Sequence, residues 1–179
     1  MTKIWLVSDT HFQHANILNF VGSDGGKIRP YFSSVDEMDE YMIMKWNDTI
    51  AVEDHVYHLG DVYFGNKDGA DKILSRLNGK KRLILGNHDN GKDPVLLKHF
   101  QKIMESREFR DEKILLSHRP AHYSAFSHKG DGWINVHGHI HEKTLGEFGW
   151  VNVSVERTKY TPILLQDARN KHDSEFMDN

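Results

Sequence analysis

Cysteine is absent from the 179 residues, which excludes disulfides and thiolate metal sites. No apolar run approaches the roughly 18 residues that a membrane span needs. The opening Met1-Thr2-Lys3-Ile4-Trp5 is too short and too quickly polar for a signal peptide. Charge of one sign is also lacking: a formal net charge of -3 gives no chain-wide electrostatic reason to bind nucleic acid or an anionic membrane, and leaves Lys80-Lys81-Arg82 as a local basic patch. No stretch rich in Pro, Gly or Ser divides the chain. These absences predict one cytoplasmic domain over residues 1–166, with a charged tail from Asp167 to Asn179 that frays. Histidine, in contrast, occurs 13 times, and the question becomes where those rings sit.

Several apolar runs end in the same way. Ile4-Trp5-Leu6-Val7-Ser8 reads as a buried strand that stops at Asp9-Thr10-His11. Residues two apart in an extended stretch point the same way, so Asp9 and His11 can converge on one ion; the competing reading is that Asp9 or Thr10 caps a helix from Ala15 to Phe20. Val56-Tyr57-His58-Leu59 runs into Gly60-Asp61, and Arg82-Leu83-Ile84-Leu85 into Gly86-Asn87-His88-Asp89. The glycine after the second of these runs is read as the residue that turns the following side chains onto the sheet edge. Lys113 to Ser117 leads to His118, and Trp133 to Val136 leads to His137-Gly138-His139-Ile140-His141. Further strands are predicted at Trp150–Val155 and Pro162–Leu165.

Helices are expected after Ser34, whose spacing to Glu37 makes a capping box, around Ile73-Leu74-Leu77, and from Asp93-Pro94 to Phe100. The histidines at 55, 58, 99, 128 and 172 are read as structural or solvated, and His14 as the start of a helix or a contact to substrate. Arg29, on the Gly22 to Pro30 loop, is placed where a phosphate could be met, and His122 where a loop could overhang the site.

The strand-end residues Asp9, His11, Asp61, Asn87, His88, His118, His139 and His141 mix nitrogen and oxygen donors. That mixture suits manganese, iron, zinc, cobalt or nickel, and the number of donors exceeds what one ion with an open position needs. Asp61 is the natural bridge between two ions. Two such ions lower the pKa of a shared water, so the nucleophile is hydroxide.

The order Asp9-x-His11, Gly60-Asp61, Gly86-Asn87-His88-Asp89, His118, Gly138-His139-x-His141 resembles the signature of the calcineurin-like metallophosphoesterases, over about residues 1 to 165. The resemblance implies an α/β fold, a four-layer α-β-β-α sandwich with two mixed β-sheets and a dinuclear metal site at the strand ends. It implies that Asp9, His11 and His141 hold one divalent ion, Asn87, His118 and His139 the other, and Asp61 both, with manganese foremost among the candidates. His88 is then free to act as general acid, Asp89 either orients it or caps the turn, and His137 steadies the motif from behind. Gly60-Asp61 is followed by Val62-Tyr63, without the Asp-Arg pair of the protein phosphatases, and the chain is most similar to small stand-alone bacterial and phage phosphoesterases. The expected partner is a phosphate ester, a phosphodiester of a nucleotide or nucleic-acid end, with no membrane. A phosphomonoesterase acting on a small metabolite is the alternative, and a metal-stabilised interaction module is the non-enzymatic one.

Overall fold

The protein is described by a computed structural model covering residues 2–146 and 148–170. Its strands are β1 (Ile4–Val7), β2 (His55–His58), β3 (Lys80–Ile84), β4 (Lys102–Met104), β5 (Ser106–Phe109), β6 (Ile114–Ser117), β7 (Ile134–His137), β8 (Trp150–Asn152) and β9 (Ile163–Leu164). They form two sheets, in the orders β4-β3-β2-β1-β9 and β5-β6-β7-β8. In the first, β1 to β4 are parallel and β9 runs against β1; in the second, β6 to β8 are parallel and β5 runs against β6. Both sheets are therefore mixed, as the sequence led us to expect.

The parallel strands read as near-continuous apolar runs because both of their faces are covered. In β1, Trp5 and Val7 join a core with Met38, Met42, Trp46, Leu74 and Leu96 of the helices α1 (Val35–Thr49), α2 (Lys67–Arg76) and α3 (Pro94–His99), while Leu6 points into a second core with Ile84, Leu116, Val136 and Val151 between the sheets. Each such side chain taken fully out of water contributes roughly 1.5–3 kcal/mol before chain entropy is set against it. The layer outside the second sheet is thin: α4 (Ser124–Ser127) lays Phe126 edge-on against Trp150, with ring centroids 5.4 Å apart.

The helix ends follow local chemistry. Ser34 caps α1 by accepting from the Glu37 amide, whereas the Glu37 carboxylate returns to Ser33 instead of Ser34. Asp93 caps α3 with Pro94 in the first position. Residues Ala15–Asn19 form a 3₁₀ helix, and neither Asp9 nor Thr10 caps it. Strands β4 and β5 were not anticipated; they are short edge strands rich in charge, and they owe their shape to pairing with β3 and β6. Residues 165–170 are helical, with Ala168 buried against the inter-sheet core, and residues 171–179, including His172, lie outside the described residues.

Parallel pairing in register carries the ends of β1, β2 and β3 to one edge, with Val7 beside His58 and His58 beside Leu83. The Gly138 amide donates to the His118 carbonyl (2.9 Å), which aligns the two histidine segments of the second sheet. A bridge between Ser8 and Ser154 joins the two edges.

Candidate metal centre

The segments leaving these strands turn abruptly. Asp9, His11, Asp61, His139 and His141 all have left-handed backbones, with φ of 57°, 50°, 55°, 70° and 50°. For residues with a side chain such conformations cost of order 1–3 kcal/mol each, and they persist where surrounding structure dictates them. Gly60 takes φ of 97°, as expected of a turning glycine. Gly86 does not, so its role differs from the one its position suggests: a Cβ there would collide with the Asp61 amide and carboxylate. A Cβ on Gly138 would likewise run into Ser8 Oγ and the Asp9 carboxylate. These two glycines let the ligand-bearing turns approach each other.

Six of the expected ligands converge in two groups. Asp9, His11 and His141 offer atoms within 4.8 Å of one another, and so do Asp61, His118 and His139. Asp61 Oδ2 stands between the groups, 3.7 Å from His11 Nε2 and 3.5 Å from His118 Nε2. Asn87 Oδ1 lies 3.0 Å from His118 Nε2. Asp9 Oδ1 and His11 Nε2 are buried with no hydrogen-bond partner, a costly state that a cation between them would relieve. Donor types, convergence and orphaned atoms all fit divalent metal.

Neighbouring groups fix which face each ligand presents. His118 Nδ1 donates to the Leu59 carbonyl (2.7 Å), and His141 Nδ1 donates to Glu156 (3.0 Å), leaving Nε2 of each turned to the cluster. His11 Nδ1 shares a hydrogen bond with His14 Nδ1 (3.0 Å). Asp9 Oδ2 accepts from the His139 amide and from Ser154 Oγ, both at 2.9 Å. Burial works against ionisation of Asp9, but the rings of His11, His118 and His141 outweigh it and hold the carboxyl below its ordinary range. Burial lowers His11 and His139, which favours the neutral imidazole that binds metal, whereas at His141 burial is outweighed by the hydrogen bond and charge of Glu156, which raise the pKa.

His88 stands outside the ligand groups, exposed, with its ring 4.8 Å from that of Phe64 and 6.4 Å from that of His11. Asp89 accepts from the amides of Asp61, Val62 and Gly86, so it clamps the two turns together and makes no bond to the His88 ring. His137 donates to the Gly138 carbonyl, and His58 accepts from the Gly60 amide; both are buried structural rings. His14 stacks on Phe64 at 4.2 Å.

Arg29 is a correction. It is fully buried, with Nε on Glu156 (2.8 Å) and its two terminal nitrogens on the carbonyls of Thr10 and Asp9. Its loop folds inward, so it braces the segments that carry the candidate ligands and does not stand free to meet a phosphate. His122 is exposed and bonds Ser124 Oγ in its own turn, not any member of the cluster. Glu156, Ser154 and Phe64 were missed. Glu156 had a signal: it is another carboxylate just beyond a strand, the pattern already seen at Asp9 and Asp61.

The profile of the Calcineurin-like phosphoesterase superfamily domain matches residues 2–155. An uncharacterised protein of Methanocaldococcus jannaschii is 37% identical over 174 residues, covering 92% of this chain and 88% of that one. The Gene 66 protein of Mycobacterium phage L5 is 28% identical over 170 residues, covering 79% of this chain and 78% of its own length. Among solved structures, a protein of unknown function from Aquifex aeolicus superposes with a TM-score of 0.74 at 27% identity, covering 96% of this chain and all of that one.

Proposed function

Since the chain belongs to the calcineurin-like phosphoesterase superfamily, whose members act on phosphate esters with divalent metal, we propose that it is a dinuclear phosphodiesterase whose substrate is a nucleotide or a nucleic-acid end. The observation that carries the dinuclear reading is the position of Asp61 Oδ2 between His11 Nε2 and His118 Nε2. Asp9, His11 and His141 would hold one ion, Asn87, His118 and His139 the other, and Asp61 both. Manganese heads the candidates by the family resemblance alone, and the mixed nitrogen and oxygen donors suit iron, zinc, cobalt or nickel equally. When bound, such a pair supplies an activated water and offsets charge on the phosphoryl oxygens.

The chain's own groups do the rest. Glu156 and the Leu59 carbonyl hold His141 and His118 by Nδ1, so neither ring can rotate out of the cluster. Asp61 Oδ1 accepts from the His88 amide (3.0 Å), which ties the His88 turn to the bridging carboxylate. His88 is exposed and outside the ligand groups, and it delivers a proton to the departing alkoxide oxygen. The diester is the preference carried over from the sequence reading; Arg29, read there as placed to meet a phosphate, is buried and committed, and so offers its charge to neither kind of ester.

The test is hydrolysis of bis-p-nitrophenyl phosphate beside p-nitrophenyl phosphate by chelator-stripped protein, with manganese, nickel, zinc or magnesium restored in turn. Metal-dependent turnover of the diester well above the monoester is expected. The reverse preference would make the protein a phosphomonoesterase, and no turnover with two ions bound per chain would favour an interaction module.

A further inference from the structure

Among the described residues, a cleft beside His88 and a cleft beside His139 and His141 share no lining residue. One, of about 420 Å³, is lined by His88 together with Phe64, Lys67 and Asn90. The other, of about 650 Å³, is lined by His139 and His141 together with Phe20, Val21, Ile140 and Lys143. Phe20 and Val21 are 38% and 61% exposed, apolar side chains left in water beside the ligand groups. They stand at the foot of a small hairpin whose pairing is set by the Val21–Lys27 bridge and by the amide of Gly22 on the Gly26 carbonyl (2.8 Å).

We infer that the Phe20–Val21–Ile140 cleft is a subsite for the arm of the phosphodiester that stays on phosphorus, and that it takes an aromatic arm of the nucleoside kind. This rests on the phosphodiesterase reading above. A diester carries two substituents. The departing one needs a proton and so lies on the His88 side, in the smaller cleft. The retained one stays equatorial, to the side of the line through the nucleophile and the leaving oxygen, and the cleft over His139 and His141, which shares no residue with the first, offers it apolar side chains. A monoester has no substituent to place in that cleft, and a small alkyl arm would leave Phe20 and Val21 as wet as before. A planar base would cover Phe20 and Val21, and Lys143 stands beside them to meet a further phosphate along a chain.

The experiment varies the retained arm and keeps the leaving group constant. Thymidine 5′-(p-nitrophenyl phosphate) and methyl p-nitrophenyl phosphate both release p-nitrophenolate, and kcat/KM is measured for each with the manganese-loaded full chain. The native protein is expected to favour the thymidine arm by about tenfold or more, the scale of stacking one base on an aromatic side chain. In the double variant Phe20→Ala, Val21→Ser that ratio is expected to fall at least fivefold, and in Val52→Ser, an exposed apolar position off this cleft, it stays at the native value. Both esters turned over with a native ratio near one, or with a ratio the double variant leaves unchanged, would overturn the subsite. No turnover of either ester by metal-loaded protein would overturn the phosphodiesterase reading itself and the subsite with it.

Discussion

Arg29 and Glu156, 127 residues apart in sequence, meet in a buried ion pair with Nε 2.8 Å from Oε1. The same Glu156 oxygen accepts from His141 Nδ1, while the rest of the guanidinium holds the carbonyls that flank the start of the Asp9-Thr10-His11 turn. One pair thus ties together the segments that bear three candidate ligands from opposite ends of the chain. Glu156→Gln keeps an acceptor and removes the charge. It is expected to weaken metal binding by about 10- to 100-fold, as loss of a group that orients a ligand does. Because it also strands a buried guanidinium, denaturant unfolding of the metal-free protein should show a loss of about 3–5 kcal/mol. Metal per chain after dialysis at graded manganese reads the first effect. Unchanged metal affinity would show that His141 needs no such support.

His88→Ala should keep two metal ions per chain and lower turnover by about 10²- to 10⁴-fold. The loss should grow as the leaving group becomes a poorer one, since p-nitrophenolate departs without a proton and an alkoxide does not. Equal losses across a leaving-group series would assign His88 to binding instead of proton transfer.

Gly138→Ala places a methyl group where Ser8 Oγ and the Asp9 carboxylate now lie. Backbone cannot yield there without moving His139, whose amide donates to Asp9. The expected result is loss of metal and of activity together, whereas the same change at Gly25, where nothing stands within 4 Å but φ is 82°, costs only about 1 kcal/mol of backbone strain and no metal.

Asp39 supplies a pH dependence of stability. Its carboxyl is buried in α1, accepts from the Gln13 amide through Oδ2 and leaves Oδ1 without a partner. Burial, with Asp36 and Glu40 nearby, pushes its pKa up to about 7 from the ordinary 3.8. Between those values the folded protein keeps a proton that the unfolded chain has released, so this group's contribution to stability falls as pH rises from about 4 to about 7, and is level beyond. Asp39→Asn should therefore raise Tm at pH 8 and change it little at pH 4. An equal effect at both would show that Asp39 is ionised in the folded state throughout.

Much of this was legible in the sequence because buried parallel strands announce themselves as apolar runs, and because a metal centre needs its donors at the ends of those runs. Asp9, His11, Asp61, Asn87, His118, His139 and His141 were picked out as candidate ligands by position and type, and the structure brings these side chains together. Arg29 was misplaced because a glycine-rich loop reads as exposed whether it faces solvent or folds back, and only the meeting with Glu156 separates the two. Strands β4 and β5 escaped because edge strands carry half their side chains in water and take their shape from their neighbours. For Gly86 the residue was noticed and the reason was not: the neighbour that excludes a side chain, Asp61, lies 25 positions away.

The central claim, two ions bridged by Asp61, is tested most directly by titrating manganese into chelator-stripped protein while following both the Mn(II) EPR spectrum and hydrolysis of bis-p-nitrophenyl phosphate. The account predicts that an exchange-coupled pair signal and full diester turnover appear together as the second equivalent binds, and that both are lost in Asp61→Asn. Saturation at one ion, or turnover complete at one equivalent with only isolated-ion signals, would contradict it.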